Sequence, residues 1–141
     1  MRRKTCPLED FNAPVKLKLS ALWTSIMFLY VYGDYFNLYT PGKLEKMAAG
    51  SLGVGPATDA MLLAVSVVMA IPSVMIFLCL ALPPLVNRWL NILLGLAYSG
   101  LLALTMPGAP LFYLFFGVLE ISLSVLLAGV ALTWRRAPLT V

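Results

Sequence analysis

Long apolar runs separated by short polar or turn-forming segments make up most of this chain. Four runs cover residues 19–39, 61–82, 89–106 and 111–134. Each is close to the ~20 residues with which a helix crosses a hydrocarbon core of ~30 Å. The runs lack the alternating polarity of strands, and a backbone in lipid must satisfy its hydrogen bonds within the segment. The pattern therefore predicts an all-α membrane protein, a bundle of four transmembrane helices.

Turn signals between the runs support these boundaries. The sequence TPG at 40–42 ends the first run, and two prolines at 83–84 end the second. Asn87 is predicted to cap the third helix, and residues 106–110 (MPGAP) to form a tight hairpin turn. The predicted organisation is an N-terminal tail at residues 1–18, a transmembrane domain at 19–134 and a C-terminal tail at 135–141.

The longest connection contains a further helical signal. Residues 41–50 (PGKLEKMAAG) begin with a helix-favouring proline and end in glycine. Leu44, Met47 and Ala48 share one helical face, so we expect a short interfacial helix on the outer leaflet. An ordered loop that packs over the bundle is an equally open alternative.

Composition supports a lipid environment. Apolar residues make up 61% of the 141 residues and charged residues 11%, against ~45–50% and ~25% in soluble domains. The basic residues flank apolar runs instead of forming a stripe with aromatic residues, so we expect no nucleic-acid partner. The expected surroundings are the lipid bilayer, with a second copy or a partner membrane protein as an open possibility.

The distribution of basic residues predicts the orientation. Eight lie before the first run, between the second and third, or after the fourth: Arg2, Arg3, Lys4, Lys16, Lys18, Arg88, Arg135 and Arg136. The opposite side has only Lys43 and Lys46. Because basic residues concentrate in cytoplasmic segments, both termini are predicted to be cytoplasmic in a multi-pass plasma-membrane protein. The first run contains Asp34 and no A-x-A site follows it, so we interpret it as a retained span.

Cysteine and histidine usage excludes several kinds of chemistry. Cys6 and Cys79 are isolated, and the chain has no histidine. Histidine-dependent nucleophilic triads and histidine-ligated haem are therefore excluded. We expect no cofactor and no metal site.

Polar or small residues recur at helical spacing in every run, and we expect these stripes to face protein, not lipid. They are Tyr30, Asp34 and Asn37; Ser66, Ala70 and Ser73; Asn87, Asn91, Gly95 and Tyr98; and Tyr113, Gly117, Glu120, Ser124 and Ala128. Four aromatic residues near the ends of the runs are predicted to anchor the protein at the interfaces. They are Trp23, Tyr39, Trp89 and Trp134.

Asp34 and Glu120 are the acidic residues that fall inside the runs. A charged acid near the bilayer centre costs at least ~2.5–3.5 kcal/mol, so such groups face an interior cavity and are protonated or paired. One interpretation is a proton or cation site. The other is a neutral carboxyl that donates to a backbone carbonyl, such as that of Val68, which Pro72 leaves free.

The candidate polar network comprises both acids and five neighbouring polar residues: Asp34, Glu120, Tyr30, Asn37, Asn91, Tyr98 and Tyr113. Tyr30, Tyr32 and Tyr35 could also line a vestibule beside Asp34. Aromatic rings next to an acid would suit an organic cation.

Several segments resemble a family of small bacterial membrane proteins of unknown function. They are KLSALW (18–23), YGDYFNLYTPG (32–42), AIPSVMIFL (70–78), NRWLNILLG (87–95) and GVLEISL (117–123). The resemblance covers residues 16–134. It implies four helices and a bacterial inner membrane, but it assigns no activity and no functional residue.

Three hypotheses for the function remain open at this point. The first is a non-catalytic helix bundle that assembles with itself or a partner. The second is a small oligomeric transporter or channel component that uses the intramembrane carboxylates for proton or cation coupling. The third is an intramembrane enzyme acting on a lipid or quinone, which ranks last because only carboxylates, tyrosines and Cys79 could serve it.

Overall fold

A computed structural model describes residues 11–52 and 55–134 of the chain, so most of the N-terminal tail and all of the C-terminal tail lie outside the described residues. Within them the chain forms five α-helices: α1 (Val15–Asn37), α2 (Lys43–Ala48), α3 (Asp59–Ala81), α4 (Pro84–Thr105) and α5 (Leu111–Leu132). The described residues contain no strand beyond one isolated bridge between Ser51 and Pro56. The all-α prediction is confirmed.

Three of these helices, α3, α4 and α5, are long and apolar enough to cross a membrane. Helix α1 has a comparable length of 23 residues but is not among them. Its lysines, its tyrosines and Asp34 make it more polar than the other long helices. Length and composition therefore identify three candidate spans, where the apolar runs predicted four.

Helix α4 begins earlier than its apolar run predicts. Pro83 is the N-cap and Pro84 occupies the first turn, where proline suits a helix because that N–H has no helical acceptor. The prediction that Asn87 caps this helix is therefore wrong. Asn87 lies inside α4, fully buried, and its side-chain amide donates to the carbonyl of Cys79.

The hydrogen bonds of two basic side chains show how the helices are arranged. The ammonium group of Lys16, in the first turn of α1, donates to the carbonyl of Leu82 at the end of α3, over 2.6 Å. Arg88, near the start of α4, donates to the carbonyl of Leu132 at the end of α5, over 2.9 Å. Each cation thus caps a helix C-terminus, where the helix dipole favours positive charge. The start of α1 and the end of α5 therefore lie at the same end of the bundle.

Helix α1 packs against both α3 and α5, and α5 also packs against α4. Helices α4 and α5 approach closely at Gly95, where an added Cβ would lie 2.9 Å from the backbone oxygen of Ser124. The core is narrow and centres on Trp23 and Leu127, while large apolar side chains such as Leu111 and Leu104 cover the outside. An exterior this apolar suits lipid as the solvent.

The prediction that Trp23 is an interfacial anchor is wrong. Its side chain is 0% exposed, and its indole N–H donates to Oδ1 of Asn91 over 2.8 Å. A tryptophan buried in this way has found the partner that its N–H requires. Trp89 and Tyr39 are exposed, by 62% and 69%, and their role as anchors stays a prediction.

The stripe predicted for α3 is also wrong. Ser66, Ala70 and Ser73 are exposed, and the buried residues of α3 are instead Pro72, Met75 and Cys79. Both serine hydroxyls donate to the carbonyl four residues earlier in their own helix. That local bond satisfies a hydroxyl without any help from another helix, so serine spacing did not identify the packed face.

The predicted helix in the first long connection is confirmed as α2. Gly42, with a φ of 73°, precedes it in the left-handed conformation that glycine adopts without strain. None of its residues is buried. The alternative of a loop packed over the bundle therefore has no support, and contact with a membrane surface stays a prediction.

Candidate functional site

A cavity of about 120 Å³, partly open to the outside, lies in the half of the bundle where α4 ends and α5 begins. All four long helices contribute to its lining. The polar residues that line it are Tyr30, Asp34, Tyr98, Thr105, Tyr113 and Glu120. Five of these six belong to the candidate network predicted from the sequence; Thr105 was missed.

Glu120 is the most buried acid at this cavity. It lies in the middle of α5 and is 4% exposed. Across from it on α1, a Cβ added to Gly33 would lie 3.8 Å from Oε1 of Glu120. Within the described residues, no hydrogen bond and no ion pair reaches the Glu120 carboxyl. The buried side-chain atoms that lack a partner among the described residues do not include those of Glu120, so its carboxyl oxygens are accessible from the cavity and free to bind what enters it.

Asp34 lines the same cavity from α1, one helical position beyond Gly33, but its residue is exposed. When both are ionised, Asp34 and Glu120 repel each other. The ammonium group of Lys43, at the start of α2, attracts the Asp34 carboxylate. Between the described residues neither interaction is an ion pair. The two acids therefore share a cavity and interact electrostatically, with one carboxyl buried and the other near the edge of the bundle.

Three hydroxyl groups of the lining are already bonded within the protein. The Tyr98 hydroxyl donates to the carbonyl of Val68. Thr105 donates to the carbonyl of Leu102 over 2.8 Å, and its oxygen lies 3.1 Å from the hydroxyl of Tyr113. The hypothesis that a neutral carboxyl bonds to the carbonyl of Val68 is thus wrong: that carbonyl accepts from Tyr98, and among the described residues neither carboxyl donates to it.

Asn91, by contrast, belongs to a separate cluster in the other half of the bundle. Its amide donates to Oδ1 of Asn87 over 2.6 Å, and its own Oδ1 accepts from Trp23 and, over 3.4 Å, from the thiol of Cys79. All four side chains are buried. This cluster joins α1, α3 and α4, and it does not border the cavity.

The remaining predicted site residues lie elsewhere. Asn37 is partly exposed at the end of α1 and is not part of the lining. Tyr32 and Tyr35 are exposed and do not line the cavity, so the predicted tyrosine vestibule reduces to Tyr30. The hydroxyl of Tyr35 instead lies 2.8 Å from that of Tyr39.

Phe116 and Gly33 were missed by the sequence analysis. Phe116 lines both the cavity and an outer groove formed with Phe36, Tyr39 and Pro110. Its ring stacks on that of Phe36, with centroids 6.1 Å apart. The spacing to Glu120, four residues on, would have placed Phe116 on the same helical face.

The chemistry of the lining is limited to acids, hydroxyls and apolar groups. The described residues contain no group of three histidine, cysteine or acidic side chains that could hold a metal ion. Two carboxyl groups facing one small cavity can take up protons or attract a cation.

The described residues form an all-helical protein in which four long helices line a small cavity with a buried acid, and three of those helices suit a membrane. A family model described as a family of unknown function (DUF6326) matches residues 8–141, and the chain belongs to this family. No curated protein and no solved structure matches the chain. The expected membership of a family with no assigned function is confirmed.

Proposed function

We propose that the protein is a four-span protein of the bacterial inner membrane with both termini in the cytoplasm. The antiparallel packing of α1 against α3 and α5 supports a fourth crossing, because a helix of 23 residues beside membrane-spanning neighbours has the same length to cover. Lys16 and Arg88 lie at the end of the bundle assigned to the cytoplasm, and α2 would rest on the outer surface.

Cysteine labelling in intact cells tests this orientation. In a background without Cys6 and Cys79, a cysteine replacing Lys43 should react with a membrane-impermeant maleimide, and one replacing Arg3 should react only after permeabilisation. Labelling of position 3 and protection of position 43 in intact cells would reverse the proposed orientation.

We propose that the bundle binds protons or cations in this cavity, as a small transporter or channel component would. The observation that carries the proposal is the unpaired carboxyl of Glu120, 4% exposed and bordering the cavity. A buried acid with no counter-ion is costly, and a function that requires it to exchange a cation accounts for its presence.

The groups that face Glu120 support exchange. Tyr30 and Asp34 on α1, Tyr98 on α4 and Tyr113 on α5 border the same cavity. Helix α3 contributes only Val68 and Met69. The positive charge of Lys43 acts on Asp34 from the end of the bundle. Since the described residues that line the cavity include no lysine or arginine, a positive charge in contact with Glu120 must come from the ligand.

Glu120→Gln tests the proposal directly. Glutamine keeps the size of the side chain but cannot exchange a proton, so the variant should fold, insert and yet lose cation-coupled flux in reconstituted vesicles. Flux is followed with a pH-sensitive dye inside the vesicles and an imposed cation gradient. The matched control is Glu45→Gln on exposed α2, which should retain wild-type flux. Equal flux in wild type and Glu120→Gln would contradict the proposal.

The second candidate is a non-catalytic module that assembles with itself or a partner. It is favoured by the buried cluster of Trp23, Asn87 and Asn91, in which intramembrane polar groups serve only to join helices. Four helices around a cavity of 120 Å³ leave too little space for a continuous pore. The two candidates are therefore compatible with one assembly. A transport function would therefore require a homo-oligomer or a partner membrane protein.

A further inference from the structure

The protons of the hydroxyl groups around the cavity determine which ligands it can bind. A threonine or tyrosine hydroxyl has one proton to donate and lone pairs that accept. Tyr98 donates its proton to the carbonyl of Val68. Thr105 donates its proton to the carbonyl of Leu102. Since that proton is used, the 3.1 Å contact between the hydroxyls of Thr105 and Tyr113 must be donated by Tyr113.

All three hydroxyl protons thus point into the protein, and the oxygen atoms are left as acceptors. The carboxyl groups of Glu120 and Asp34 add further acceptors when ionised. Among the described residues that line the cavity, none is lysine or arginine. Within the described lining, Tyr30 is the one side chain whose hydroxyl proton is not engaged in a hydrogen bond. An anion or a pure acceptor would therefore find a single donor, whereas a ligand rich in N–H groups would find several acceptors.

The size and walls of the cavity limit the ligand further. A protein cavity of ~150 Å³ holds a benzene molecule, and a water occupies ~30 Å³. The volume here is about 120 Å³, which suits only a few non-hydrogen atoms. Val68, Met69, Leu101 and Phe116 supply an apolar wall. A charged head with a short hydrocarbon tail matches this combination better than a fully hydrated metal ion.

We infer that the cavity binds a small primary alkylammonium ion, with its N–H groups on the acceptor oxygens and its alkyl group against the apolar wall. The inference rests on the proposed cation-binding function and names the class of ligand. The ammonium group would provide the buried Glu120 carboxyl with the charge partner that the protein itself does not supply. A quaternary ammonium has no N–H to donate, so it would leave the acceptors unpaired and require more space.

The test is calorimetric titration of the purified full-length protein in lipid nanodiscs, with ethylammonium chloride as the probe. Tetramethylammonium, potassium and ethanol serve as comparisons, because they lack donors, lack an alkyl group and lack charge, respectively. Ethylammonium should bind at least about tenfold more tightly than each of them, the effect of one charge-assisted hydrogen bond. Glu120→Gln should weaken ethylammonium binding by a similar factor, and the control Glu45→Gln should not change it.

A second variant keeps the inference testable if Glu120→Gln folds poorly. Leu101→Trp would fill the cavity from its apolar side and should abolish ethylammonium binding while the thermal unfolding midpoint in nanodiscs reports on folding. Binding of tetramethylammonium as tightly as ethylammonium, or of potassium alone, would overturn the inference and leave cation binding in place. Absence of binding for every cation, together with equal proton flux in wild type and Glu120→Gln, would overturn the proposed function as well.

Discussion

The hydroxyl of Tyr98 on α4 donates a hydrogen bond to the backbone oxygen of Val68 on α3. Val68 lies four residues before Pro72, and proline has no N–H with which to complete the helical bond to that carbonyl. Buried carbonyls without a donor are rare. Tyr98 therefore supplies the donor that Pro72 lacks. The same hydrogen bond links α3 to α4, two helices that share few backbone contacts.

Tyr98→Phe should destabilise the protein by ~1–3 kcal/mol, because it leaves the partly buried Val68 carbonyl without a donor. The measurement is reversible unfolding of the purified protein in mixed micelles. In a Pro72→Ala background the same substitution should cost clearly less, since alanine at that position restores a backbone N–H for the Val68 carbonyl. Equal costs in the two backgrounds would show that the hydroxyl contributes nothing through this carbonyl.

Gly95→Ala should separate α4 from α5. The new Cβ would lie 2.9 Å from the backbone oxygen of Ser124, and a backbone atom cannot move aside as a flexible side chain can. We expect a loss of ~1–3 kcal/mol, typical of overpacking, measured by unfolding in micelles. Gly100→Ala in the same helix is the matched control. Nothing lies within 4 Å of a Cβ there, so the change should be neutral or stabilising, because alanine favours helices.

The helices and their order could be predicted from the sequence because hydrophobic length and turn residues act locally. The four apolar runs correspond to α1, α3, α4 and α5, and the amphipathic segment at 41–50 contains α2. The packed faces were predicted well for α4 and α5, where Asn91, Gly95 and Glu120 are buried. A large polar side chain, or a glycine that lets two helices approach closely, is disfavoured on a lipid-facing surface. Such residues therefore identify the packed face of a helix.

The face of α3 could not be predicted from its serines. A serine hydroxyl in a helix can bond its own backbone, so Ser66 and Ser73 tolerate exposure, and the apolar Met75 gives no sign that it is buried. The anchor assignment of Trp23 failed for a related reason. A tryptophan near the end of an apolar run can be either an interfacial anchor or a core residue. Only its partner across the bundle, Asn91, shows that Trp23 belongs to the core.

The acidic residues of the site could be predicted from the sequence, but the residues that surround them could not. Asp34 and Glu120 stand out because charge in an apolar run is costly. Glu120 lies opposite Gly33 of another helix, and such pairing across the bundle leaves no pattern in a single sequence. The donor directions of Tyr98 and Thr105 likewise depend on which carbonyl each hydroxyl reaches.

Trp23→Phe should destabilise the bundle more than Trp89→Phe does. Trp23 is buried and donates to Asn91 over 2.8 Å, so phenylalanine would remove a donor and leave a space beside Asn91. Trp89 is exposed, and its change should stay within ~0.5 kcal/mol, as surface substitutions do. Unfolding midpoints in micelles measure both. A larger effect at Trp89 would mean that the buried cluster contributes little to stability.

Phe116→Ala should open the cavity to the outer groove, because the Phe116 ring lines both of them. The test places a cysteine at Leu102, which lines the cavity, in a background without Cys6 and Cys79, and follows its modification by a cationic thiosulfonate reagent. Modification should be faster with Phe116→Ala than with Phe116 intact. Phe115→Ala is the matched control, since Phe115 is an exposed neighbour on α5 that borders neither space. Its rate should equal that of the parent protein. If both alanine variants accelerate the reaction equally, the effect is a general loosening of α5, and Phe116 does not separate the groove from the cavity.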